Sequence, residues 1–65
     1  MNKALFSIHL IEDEEGLVTV VAEMAGKGDK CLDVGLEIVQ NLREAERAYP
    51  ELLNVTGVRA CEYFQ

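Results

Sequence analysis

Two stretches of alternating apolar residues, one on each side of a short acidic segment, constrain this 65-residue chain more than any other feature. In residues 4 to 11, Phe6, Ile8 and Leu10 fall on one side of an extended backbone, and Leu5, Ser7, His9 and Ile11 on the other. Residues 17 to 24 repeat the pattern, with Val18, Val20, Ala22 and Met24 opposed to Leu17, Thr19, Val21 and Glu23. Their β-branched content favours a strand. Between the two lies Glu12-Asp13-Glu14-Glu15-Gly16, a loop whose final glycine is free to take a positive φ. Placing Ile8 opposite Val20 sets Leu10 against Val18 and Phe6 against Ala22, so one register gives both strands a common apolar face.

Ala25-Gly26-Lys27-Gly28 interrupts the alternation, and Asp29 then offers an N-cap for a helix expected from Lys30 to Tyr49. At about 100° per residue, Cys31, Gly35, Ile38, Leu42, Ala45 and Tyr49 form one stripe, and Asp33, Glu37, Gln40, Glu44 and Arg47 the opposite one. The first stripe is expected on the sheet. Gly35 lies within it, where its cost of about 1 kcal/mol relative to alanine makes sense if the helix backbone comes close to a strand. At Pro50 the helix is expected to stop or kink, with room for one short turn over Glu51-Leu52-Leu53. Residues 55 to 64 hold Val58, Ala60, Cys61, Tyr63 and Phe64 among polar residues, which predicts a third strand.

A right-handed crossover from the second strand through the helix predicts sheet order 2-1-3. The expected architecture is therefore α+β, a small two-layer ββαβ unit forming one domain over residues 1–65. It consists of an antiparallel hairpin, a third strand and one long helix packed on one face.

With 49% apolar residues and a single proline the chain has the hydrophobic mass to collapse, and its apolar runs fall short of the ~18 residues a membrane span needs. Lys3 ahead of an apolar stretch imitates the start of a signal peptide. That stretch contains His9 and runs into Glu12 to Glu15, so it is read as mature structure and the compartment as cytoplasmic. Twelve acidic against six basic residues argue against direct contact with nucleic acid, where Lys and Arg displace condensed counterions. Cys31 and Cys61 are too few for a small secreted disulfide scaffold and read as two buried thiols.

No catalytic constellation, metal site or cofactor is expected. Ser7 and His9 share a strand face, yet nothing in the sequence marks an acid partner or an oxyanion hole. The acidic run Glu12, Asp13, Glu14 and Glu15 lacks the alternating spacing of a calcium loop and reads first as a solvated hairpin tip. Gly26-Lys27-Gly28 stands where a phosphate cradle would, without the spacing of either glycine-rich phosphate motif.

Above this background stands an excess of apolar surface. Leu32, Leu36 and Val39 lie to one side of the helix stripe, and Leu5, Ile11, Leu17 and Val21 occupy the sheet face that no helix remains to cover. A contiguous set of that kind marks association. So does size: a chain this short buries about 60% of its unfolded surface, and its core supplies about 3–5 kcal/mol. The expected function is a non-enzymatic protein–protein interaction module. It is read as a homodimer and as a small accessory or regulatory protein of the kind found in bacteria and phages.

The order hairpin, turn with Gly28-Asp29, then helix with Asn41 and Glu44-Ala45 resembles the small HicB-type antitoxin domain over about residues 4 to 49. The family's Pro-Gly-Cys turn is absent, and the helix residues are spaced differently from Gly28-Asp29. The alternative function, drawn from the acidic charge and faintly similar to that family, is an acidic inhibitor or antitoxin-like protein covering a basic, nucleic-acid-binding surface on a host protein. Glu12 to Glu15 would then steer its approach.

Overall fold

In a computed structural model that describes residues 3–61, the chain forms β1 (Ala4–Glu12), β2 (Val18–Gly26), α1 (Asp29–Ala48) and β3 (Leu53–Ala60). The three strands make one mixed sheet in the order β1-β2-β3, with β1 and β2 antiparallel and β2 and β3 parallel. The expected order 2-1-3 is corrected: β3 lies beside β2. Crossover handedness permits either neighbour, and burial decides between them. The centre goes to β2, whose Val20 and Ala22 are fully buried, and the edge to β1, whose Leu10 and Ile11 are exposed.

Between β1 and β2 the register is two residues away from expectation: Ile8 stands opposite Ala22, Leu10 opposite Val20 and Phe6 opposite Met24. An even slip leaves every side chain on its predicted face. Its cause is Asp13. The Asp13 carboxylate accepts the N–H groups of Glu15 at 2.9 Å and Leu17 at 3.0 Å, while Gly16 N–H donates to the Asp13 carbonyl at 3.1 Å. Closing the turn over Glu14, Glu15 and Gly16, the last at φ +89°, extends β1 to Glu12. Asp13→Ala removes both carboxylate bonds and lowers stability by about 1 kcal/mol, read as a lower urea midpoint, while Glu14→Gln leaves the midpoint unchanged.

Gly28, extended at φ −150°, is the N-cap of α1 and provides no side-chain bond, so Asp29 belongs to the first helical turn instead of capping it. At the other end the helix stops at Ala48, and Tyr49 N–H donates to the Ala45 carbonyl at 2.9 Å. After a turn over residues 50–52, β3 begins at Leu53, two residues before its expected start. Tyr63 and Phe64, expected to end that strand, lie outside the described residues.

The helix crosses the sheet diagonally. Its first turn follows Gly28, which sits against Ala4 at the start of β1, and a Cβ on Gly35 would overlap the Phe6 ring. Near its end, the Glu46 carboxylate accepts the Val55 N–H at 2.7 Å at the start of β3. Packing therefore falls on Leu32, Gly35, Val39, Leu42 and Glu46, a stripe turned by tens of degrees from the expected one. Val39 is 3% exposed, whereas Ile38 and Tyr49, assigned to the buried stripe, are exposed. Glu46 explains the difference: a carboxylate reads as solvent-facing in a periodicity, and here it is spent on a strand N–H.

Strand β3 is irregular. Val20 pairs with Val55 and Ala22 with Val58, so Thr56 and Gly57 together face Val21 in a bulge. The Thr56 hydroxyl donates to the Val20 carbonyl at 2.8 Å and holds it. The fold is thin, 40 × 22 × 14 Å, with a radius of gyration of 13.0 Å against about 10–11 Å for a globular chain of this length.

Candidate functional site

Two unpartnered surfaces flank β1, one on each side of the sheet. On the side away from α1, Leu5 and Ile11 are exposed, and Leu17 and Val21 are half-buried. Four of the expected interface residues thus share one open sheet face. Charged groups interrupt it: Glu23 stands between Ser7 on β1 and Arg59 on β3, and the His9 imidazole Nε2 lies 3.4 Å from a Glu23 carboxylate oxygen.

Strand pairing brings together what the sequence left unconnected, a serine, a histidine and a carboxylate on one face. Glu23 was the missing acid, and only the register reveals it. Chemically the trio can do little as it stands. His9 and Glu23 are in water on an open surface, where such a pair contributes ~0–1 kcal/mol, and the Ser7 hydroxyl makes no hydrogen bond among the described residues.

On the other side of β1, beside α1, runs an apolar groove of about 430 Å³ lined chiefly by Phe6, Ile8, Cys31, Val34, Gly35 and Ile38. It exists because the helix leaves β1 diagonally. Over the first half of the strand, Phe6 and Ile8 are half-buried, but Leu10, on the same face, is 66% exposed. Val34 and Ile38, on the helix flank turned toward β1, are 63% and 46% exposed. Sequence periodicity missed this surface because it placed Ile38 in the core.

The other expected patch is broken up. Val39 is in the core, Leu32 is half-buried, and Leu36 is 43% exposed on the flank turned away from β1. At the hairpin tip Glu12, Glu14 and Glu15 point outward, while Asp13 is occupied by the turn. The Gly26-Lys27-Gly28 turn is committed to backbone closure: Gly26, at φ +81°, lies against the Lys3 carbonyl, which accepts the Lys27 N–H at 2.9 Å. Both cysteines are free thiols and half-buried, not fully buried as expected.

No helix among the described residues is long and apolar enough to cross a membrane. Compared with known proteins, the chain matches no family model, no curated protein and no solved structure. None of these comparisons supports the likeness to HicB-type antitoxin domains, and a shared order of elements establishes no function.

Proposed function

We propose that the protein is a non-enzymatic interaction module that works as a homodimer. The observation that carries this reading is surface area. The chain exposes 5165 Å², against about 4,100 Å² for a folded monomer of its mass. The surplus, about 1,000 Å², is close to the ~800 Å² that each partner contributes to a standard interface.

Where that surplus lies supports association. Leu10, Val34 and Ile38 on the helix side, and Leu5 and Ile11 on the other, border the same strand. Only Val20, Ala22, Ala25 and Val39 are buried apolar residues among those described, a small core for a chain that must fold alone. Burying the β1 border in a second subunit adds apolar contact without lengthening the chain.

Light scattering during size-exclusion chromatography tests the reading. At tens of micromolar the expected mass is twice 7.2 kDa, and a 7.2 kDa particle rejects it.

A further inference from the structure

Building on the homodimer reading, we infer that the partner is a second copy of this chain docked edge to edge, β1 against β1 in antiparallel sense, with the two-fold axis at Ile8. The dimer is then a continuous six-stranded sheet carrying both helices on one side.

Strand β1 is an open edge of unusual quality. Its nine residues, Ala4–Glu12, pair with β2 without a register shift and contain no proline and no lysine. Those are the devices that normally block further pairing. Hydrogen-bond phase identifies the free groups. Asp13 N–H donates to the Leu17 carbonyl and Lys27 N–H to the Lys3 carbonyl, so odd-numbered residues of β1 direct their backbone toward β2. Ala4, Phe6, Ile8, Leu10 and Glu12 direct theirs outward.

Placing Ile8 opposite Ile8 of the partner subunit aligns these even residues as hydrogen-bonded pairs, Phe6 with Leu10 and Ala4 with Glu12. Side chains then match on both faces. Leu5 meets Ile11, Ser7 meets His9, and Phe6 meets Leu10, because Leu5-Phe6-Ser7-Ile8-His9-Leu10-Ile11 reads the same in either direction as a pattern of apolar and polar residues. Shifting the register so that Ser7 faces its own copy sets Leu5 against His9. Centring it on His9 sets Ser7 against Ile11 and Phe6 against Glu12. Only the axis at Ile8 pairs like with like from Leu5 to Ile11, with Ala4 and Glu12 the one mixed pair at the ends of the strand.

The diagonal helix supplies the second half of the fit. Each subunit covers its β1 near Phe6 and leaves the Leu10 corner open. Antiparallel pairing brings the Phe6 end of one subunit beside the Leu10 corner of the other. Val34 and Ile38, the exposed flank toward that edge, then close over the corner that the neighbouring helix misses. The same contact covers the groove and the exposed Leu10, Val34 and Ile38.

Cysteine cross-linking fixes the register. Ser7→Cys and His9→Cys proteins are mixed in equal amounts, oxidised, and the linked peptides identified by mass spectrometry, with the parent chain as control for Cys31 and Cys61. In the inferred dimer residues 7 and 9 form a non-hydrogen-bonded pair about 4.5 Å apart at Cα, within disulfide reach. Identical residues lie on a diagonal of about 7–8 Å, at or beyond it. The expected result is a 7-to-9 link in the mixture, in up to about half of the chains given random pairing of a two-fold dimer, and little linkage in either variant alone. A second pair, Leu5→Cys with Ile11→Cys, gives the same pattern and guards against misfolding of the first. Linkage in Ser7→Cys alone, or none in a sample that light scattering shows to be dimeric, overturns the edge pairing and leaves the homodimer standing. A monomeric parent overturns both.

Discussion

Gly35→Ala destabilises the protein by about 1–3 kcal/mol, although alanine is the better helix former by about 1 kcal/mol. The added methyl would overlap the Phe6 ring at its root as well as its edge, so no small rotation of the ring relieves it. Either the helix lifts from β1 or Phe6 leaves its position. With a core of only a few kcal/mol, that is a large fraction of the total, and thermal unfolding followed by circular dichroism should show a much lower midpoint. Gly57→Ala is the contrast, since nothing lies within 4 Å of where its methyl would go. If Gly35→Ala instead raises the midpoint, the close approach of α1 to β1 is wrong.

The second large effect falls on assembly. Leu10→Pro should convert the dimer to a folded monomer, because residue 10 directs its N–H away from β2 and its side chain is already mostly in water. Proline is tolerated on a strand edge in that phase and blocks the pairing of another strand. His9→Pro, one residue earlier, removes an N–H that faces β2 and should unfold the hairpin. Leu36→Asp should leave the dimer intact, since Leu36 sits about 160–200° round the helix from Val34 and Ile38. Sedimentation or light scattering separates these outcomes from loss of fold read by circular dichroism. A dimeric Leu10→Pro protein, or dissociation by Leu36→Asp, would relocate the interface.

Much of the architecture is legible in the sequence, and the parts that are not share a physical cause. Alternation tells which face a side chain takes, so Phe6, Ile8, Leu10, Val20 and Ala22 were assigned correctly as one set. It does not tell how far two strands are offset or which strands are neighbours. The offset depends on the Asp13 carboxylate, a single hydrogen-bonding group in an acidic run whose four members look alike in composition. Strand order depends on the relative burial of whole strands, which emerges only when all three are assembled.

The helix shows a different limit. Its chain carries Leu32, Val34, Leu36, Ile38, Val39 and Leu42, too many apolar residues for one stripe, and nothing in the periodicity shows that the Glu46 carboxylate turns to the Val55 N–H of the sheet. Gly35 was the better guide: a costly glycine on an apolar face predicted a close strand, and the strand is there. The groove beside β1 follows from the corrected rotation, so no reading of the helix alone could have found it.

An open strand edge carries a hazard, because a sheet that recruits one more strand can recruit another without end. The two edges of this sheet are unlike. On β3, Thr56 and Gly57 push the backbone out of line, and the Thr56 hydroxyl pins the distortion to Val20. Once two copies join through β1, the rims of the resulting sheet are both bulged β3 strands, which offer no regular ladder to a third copy. In the proposed dimer, growth then stops at two. Straightening that rim, for instance by deleting Gly57, would expose a regular outer strand and turn a self-limiting pair into a seed for fibrils.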